Sequence, residues 1–202
     1  MEHYGSLYES SPINRMSTYK EILANCMTEL GKDTSVLVVG YNVCDAGGAG
    51  GGSFNGIPKD QRQEMPLAEN LMMGAAIGLS LQGYTPLVWI ERADFLTCCM
   101  DAIVNHLAKL SELSEGVHRP ACIVRVVVGN SNTPLYTGST HTQDFSHAMR
   151  EMLCPEANRN GFKVERLTHK ALIADQYAMA LNRAKKRRES TMLFEFRDLY
   201  SI

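Results

Sequence analysis

The segment Met65-Pro-Leu-Ala-Glu-Asn-Leu-Met-Met-Gly-Ala-Ala-Ile-Gly-Leu-Ser-Leu-Gln-Gly-Tyr-Thr-Pro-Leu-Val-Trp-Ile90 sets the architecture. Ala68 to Leu81 has the length of a helix and is stopped by Gly83. Pro86 to Ile90 is short and apolar, as a strand covered on both faces must be. No charged residue occurs from Leu71 to Ile90, and a run of that length could cross a bilayer. Gly83, Thr85 and Pro86 interrupt it, however, and no Lys or Arg cluster flanks it. A buried helix, a turn and a buried strand account for the same residues without a membrane.

The alternation extends in both directions. Upstream, Thr18 and Glu21 form a capping box, and Ile22, Leu23, Cys26, Met27 and Leu30 follow at helical spacing up to Gly31. Val36 to Val39 is a short β-branched strand ending in Gly40. Downstream the pattern predicts a helix over Phe95 to Leu110 and a strand over Ala121 to Val128. After a Ser/Thr/Asn-rich loop it predicts a helix over Gln143 to Leu153, a strand over Phe162 to Arg166, a helix over Lys170 to Lys186 and a strand over Met192 to Phe196. Strands alternating with helices imply right-handed crossovers, hence an α/β fold with three layers: a mainly parallel sheet carrying helices on both faces. The 202 residues, 45% hydrophobic, suit one well-buried domain, placed at 17–202 behind a polar arm at 1–16.

Charge narrows the partners. Twenty basic and 22 acidic residues leave a formal charge of -2, which offers no broad attraction for nucleic acid or anionic lipid. The run Arg183-Ala-Lys-Lys-Arg-Arg188 reads as a solvated helix end, since cations are favourable in a last turn. Six cysteines show no metal-site or redox-dithiol spacing, so reduced, buried thiols in a cytoplasmic protein are expected. The start of the chain has neither the basic nor the apolar segment of a secretory signal.

In such sheets ligands bind beyond the carboxyl ends of the strands. The glycine run Ala46 to Ser53 follows the first strand there, yet it lacks the Lys-Ser/Thr of a phosphate loop and does not open into a helix. It reads as a flexible loop, with nucleotide binding as a weaker alternative. Glu69 is a lone carboxylate opening an otherwise uncharged helix. By itself it would only favour the positive end of the helix dipole.

Its surroundings say more. Pro66-Leu-Ala-Glu69, Gly74-Ala-Ala-Ile-Gly78, Gly83-Tyr-Thr-Pro86, Ala93-Asp-Phe95 and Asp101-Ala-Ile-Val-Asn105 occur in that order, with Ala108-Lys109 after them. This succession resembles the pyrimidine-binding domain of transketolase-like thiamine-diphosphate enzymes. The nearest likeness is to the N-terminal domain of the beta subunit of 2-oxoacid dehydrogenase decarboxylating components. The likeness continues through Pro120 to Arg125, Thr140-His-Thr-Gln143 and Phe194 to Tyr200, and covers roughly Ser17 to Tyr200.

The resemblance implies the roles of three residues. Glu69 matches the family glutamate that hydrogen-bonds the pyrimidine ring nitrogen of thiamine diphosphate and favours the imino tautomer, which then deprotonates the thiazolium carbon. Burial there would favour a protonated carboxyl near neutral pH. Phe95 matches an aromatic ring that stacks on the pyrimidine, against a plain reading as core. His141 matches a histidine that steadies charge or moves protons on the substrate adduct, against a plain reading as a solvated loop residue.

The chain also departs from the family. Gly40-Tyr-Asn-Val43 stands where a Gly-Glu-Asp-Val element is usual, and Arg92 stands where a Phe precedes Ala-Asp. No Gly-Asp-Gly segment with a following Asn is present to hold magnesium and the diphosphate. The resemblance therefore implies a separate diphosphate-binding subunit that holds most of the magnesium contacts, in a heterotetramer with two copies of each chain. The substrate would be a 2-oxoacid or a ketose. The competing expectation is a non-catalytic binding or regulatory subunit that has kept the fold.

Overall fold

The computed structural model describes residues 17–45, 50, 52–129, 138–154 and 161–200. The expected arm at 1–16, most of the glycine run at 46–53 and much of the Ser/Thr/Asn-rich loop lie outside the described residues.

Six strands form one sheet: β1 (Val36–Gly40), β2 (Arg62–Glu64), β3 (Thr85–Ile90), β4 (Ile123–Val128), β5 (Lys163–Leu167) and β6 (Thr191–Phe196). Their order is β2-β1-β3-β4-β6-β5, and every neighbouring pair is parallel. Every residue of β3 and β4 is buried, as central strands covered on both faces require.

Alternate side chains of these strands feed two cores. Val88, Ile90, Val124 and Val126 meet α2 (Glu69–Leu81) and α4 (Ser146–Leu153) on one face. Leu87, Trp89, Ile123 and Val127 meet α1 (Tyr19–Gly31) and α5 (Lys170–Asn182) on the other.

Local signals explain the helix ends. Thr18 Oγ1 accepts from the Glu21 amide at 3.3 Å while Glu21 Oε2 accepts from the Thr18 amide at 2.7 Å, the reciprocal box read from the sequence. The uncharged run resolves into α2, a turn through Gly83 at φ +96°, and β3. Among the described residues no helix is long and apolar enough to cross a membrane.

Three readings need correction. The helix expected over Phe95 to Leu110 is instead a 3₁₀ turn over Ala93–Cys99, a π turn over Ala102–Leu107 and the short α3 (Leu110–Leu113). The buried Ala93, Leu96 and Cys99 are spaced by three, which matches the tighter winding. Ile103 and Ala108 are joined by a bond five residues long, Ala108 N to Ile103 O at 3.0 Å, so the wider π turn keeps both against the core. The last helix likewise relaxes from α5 into a π turn over Arg183–Arg187 before Arg188 takes a left-handed φ of 55°. Finally, all six cysteines are free as expected, but Cys44 and Cys98 are exposed and Cys154 is half-buried.

Candidate active site at the carboxyl edge of the sheet

Glu69 is the first residue of α2 and is half-buried. Its carboxylate makes no hydrogen bond or ion pair with a described residue. Helix α2 packs against the 3₁₀ turn that follows β3, and burial together with the Glu69 carboxylate pushes the Cys99 thiol in that turn up to about 12.

The same turn carries Asp94 and Phe95. The Phe95 ring meets the His141 ring edge-on, with centroids 5.2 Å apart and an interplanar angle of 82°. Thr140 Oγ1 lies 2.9 Å from His141 Nδ1, a contact that fixes how the imidazole is turned. Glu69, Phe95 and His141, three positions singled out separately in the sequence, thus gather around one turn at the end of β3.

Two further residues hold the site and were not singled out beforehand. Asp94 is buried, and its carboxylate accepts from Gln143 Nε2 at 2.9 Å and from the Gln143 amide at 3.4 Å. This pair ties the Ala93-Asp-Phe95 element to the Thr140-His-Thr-Gln143 element, so the two motifs form one unit. Gly129, just after β4, shows why the His141 segment lies where it does. A Cβ at that position would meet the His141 carbonyl oxygen at 1.8 Å, so only glycine admits this approach. The signal in the sequence was the position of Asp94 inside a recognised element, but its partner lay 49 residues away.

The loop after β1 lacks the acidic residue common in the resembling family. Its amides find a carboxylate elsewhere: Glu64, at the end of β2, accepts from the Asn42 amide at 2.6 Å and from the Cys44 amide at 2.9 Å. Asn42 adopts a φ of 58°, a left-handed turn that aims the two amides at one acceptor.

Behind the sheet, on the α1 and α5 side, a fully buried ion pair braces the same strands. Arg125 Nε and Nη2 reach the two Glu195 oxygens at 2.9 and 3.2 Å, and Nη1 donates to Ser53 Oγ at 2.8 Å. The guanidinium lies 4.9 Å from the Phe54 ring centre and 4.7 Å from that of Trp89. Tyr200 OH also donates to Glu195. Burial alone would disfavour the cation, but Glu195, Tyr177 and Tyr200 together outweigh it and raise the proton affinity of Arg125. Among the described residues no group of three or more His, Cys, Asp or Glu could hold a metal ion.

No model of a protein family matches the chain. Curated relatives do. The beta subunit of acetoin:2,6-dichlorophenolindophenol oxidoreductase of Cupriavidus necator is 30% identical over 113 residues, half of this chain and 33% of that one. The pyruvate dehydrogenase E1 component beta subunit of Bacillus subtilis is 30% identical over 157 residues, 74% of this chain and 44% of that one. The chain thus spans less than half the length of these relatives. Among solved structures, a split-gene transketolase described as an inactive beta4 tetramer superposes with a TM-score of 0.60 at 14% identity, covering 89% of this chain and 51% of that one. In sequence the chain is thus a homologue of the E1 beta subunits of 2-oxoacid dehydrogenases over part of their length, and in fold it shares the α/β architecture of a split-gene transketolase.

Proposed function

We propose that this chain is the pyrimidine-binding subunit of a split thiamine-diphosphate-dependent enzyme acting on a 2-oxoacid or a ketose, by decarboxylation, oxidation or two-carbon transfer. The observation that carries this reading is a carboxylate free of described partners, Glu69, at the start of the helix that packs against the Phe95 turn, where the His141 ring meets that of Phe95.

The residues present fit the cofactor's pyrimidine. Glu69 is an uncommitted proton donor or acceptor at a helix start, and Phe95 offers a half-buried aromatic ring. When bound, thiamine diphosphate supplies a carbanion nucleophile. Glu69 would hold a proton at the pyrimidine ring nitrogen. Phe95 would orient the ring by stacking and exclude water from it. His141, held by Thr140 and the Phe95 edge, would move or steady a proton on the substrate side.

A partner subunit that holds the diphosphate and magnesium is part of the proposal, in a heterotetramer with two copies of each chain. An uncovered face of α2 supports it. Leu71 and Leu81 on it are 52% and 39% exposed, and Leu67, just before the helix, is 60% exposed. A Cβ on Gly74 or Gly78 beside them would meet nothing within 4 Å. The free cysteines fit the reducing interior of a cell, and a cytoplasmic location is proposed with the rest.

Purified alone, the chain is expected to bind thiamine diphosphate weakly and to turn over nothing, and the diphosphate-domain partner should restore activity. In the reconstituted enzyme, Glu69→Gln should lower kcat by roughly 10² to 10⁴, the range for a lost acid-base group. Full activity of that variant would instead favour a binding or regulatory subunit that keeps the fold.

A further inference from the structure

Arg92 occupies the carboxyl edge in an unusual electrostatic state. It follows the end of β3 and precedes the 3₁₀ turn of the site, and only 6% of its surface is exposed. Among the described residues the one hydrogen bond of its side chain runs from Nη1 to the neighbouring Glu91 carbonyl oxygen, at 2.6 Å. No carboxylate of a described residue lies at ion-pair distance from it, and the buried Asp94 close to it spends its oxygens on Gln143. A cation withdrawn from water without a counter-ion is costly, and arginine cannot escape the cost by losing its proton under ordinary conditions.

The neighbours add to that cost. Burial and the positive charge of Arg197, which follows β6 at the same edge, both lower the proton affinity of Arg92, and Glu91, Tyr200 and Asp94 offset this only in part. The side chain also lies in the site itself. A Cβ built on Gly129 would stand 1.8 Å from the His141 carbonyl oxygen and 3.4 Å from Arg92 Cδ, so the arginine stem and the His141 backbone share one crevice beyond β4.

We propose that Arg92 is the anion anchor of this site, binding a carboxylate or phosphate group of the substrate beside His141. The guanidinium fork suits either group, since both present paired oxygens to parallel N–H donors. The inference rests on the reading of this edge as the substrate end of a thiamine-diphosphate site, and it adds a specificity: substrates with an anionic group are preferred over neutral ones.

The test titrates the chain, without cofactor or partner, with pyruvate, 2-oxoglutarate and inorganic phosphate, and follows amide chemical shifts and thermal midpoint. Saturable shifts around residues 91–95 and 138–143 are expected with at least one of the three. The anion that binds tightest identifies a monocarboxylate, a dicarboxylate or a phosphate as the group recognised. Arg92→Phe should weaken that binding at least tenfold, and Arg92→Lys should recover part of it. Glu69→Gln should bind the anion as the unaltered chain does, which separates failure of this inference from failure of the cofactor reading. Absence of binding by the unaltered chain, or equal binding by a folded Arg92→Phe variant, would overturn the proposal.

Discussion

Two buried arginines, 33 positions apart on neighbouring strand ends and strand interior, show opposite solutions to the same problem. Arg125 brings its counter-charge with it. Glu195, Ser53 and two aromatic rings surround the guanidinium, and its proton is held more tightly than in water. Arg92 has one backbone carbonyl and a like-charged neighbour, and its proton is held less tightly. The lesson is that burial does not by itself distinguish a structural charge from a functional one. Whether the chain supplies the counter-ion does.

The comparison can be broken most forcefully at Arg125. Glu195→Leu leaves that guanidinium buried and unpaired, and should cost about 3–5 kcal/mol of unfolding free energy in urea titrations. Arg92→Phe removes a charge that has no counter-ion among the described residues, so the same measurement should show a change of no more than about 1 kcal/mol, in either direction. Similar large losses in both variants would mean that Arg92 is structural after all.

A smaller effect is expected one residue from the anchor. Asp94→Asn keeps the size of the side chain but weakens its hold on Gln143, with a loss of about 1–2 kcal/mol and faster amide exchange over residues 138–145. Unchanged exchange there would show that Gly129 alone positions the His141 segment.

The smallest effect is an acid-side test on a partly exposed pair that contrasts with both buried cations. Desolvation works to raise the Asp144 carboxyl, but hydrogen bonds from Ser146 and the Arg166 guanidinium outweigh it and hold its folded value below the usual range. The folded value being the lower one, the stabilisation is complete above an unfolded value of about 4 and is lost as pH falls through the folded value. The advantage of the unaltered chain over Arg166→Gln, under about 1 kcal/mol at neutral pH for a pair this exposed, should vanish in more acidic solution. Thermal midpoints across that range would check it.

Much of this molecule could be read from local pattern. The capping box at Thr18, the apolar strands β1, β3, β4 and β6, and the helix from Glu69 to Leu81 each follow from residues within a dozen positions of one another. Periodicity and end signals act at that range, so they survive without tertiary context. The ordered elements from Pro66 to Lys109 also singled out Glu69 and Phe95 as candidates. Less legible was β2, a three-residue edge strand of charged and polar side chains, because its pairing with β1 comes from the backbone rather than from an apolar pattern. The 3₁₀ and π turns between Ala93 and Leu107 were equally hidden, since a helical pattern does not reveal how tightly the chain is wound.

The sequence by itself determined which segments become strands and helices, that the sheet would be parallel, and which carboxylate opens the second helix. The tertiary structure alone decided the pairings that give the site its character: Asp94 with Gln143, Gly129 under the His141 backbone, Arg125 with Glu195, and Arg92 with no ion-paired carboxylate among the described residues. The physical reason is range. Propensity and amphipathic period are summed over neighbours in the chain, whereas the electrostatic state of a buried group depends on residues brought to it from 40 to 70 or more positions away by the order of the strands.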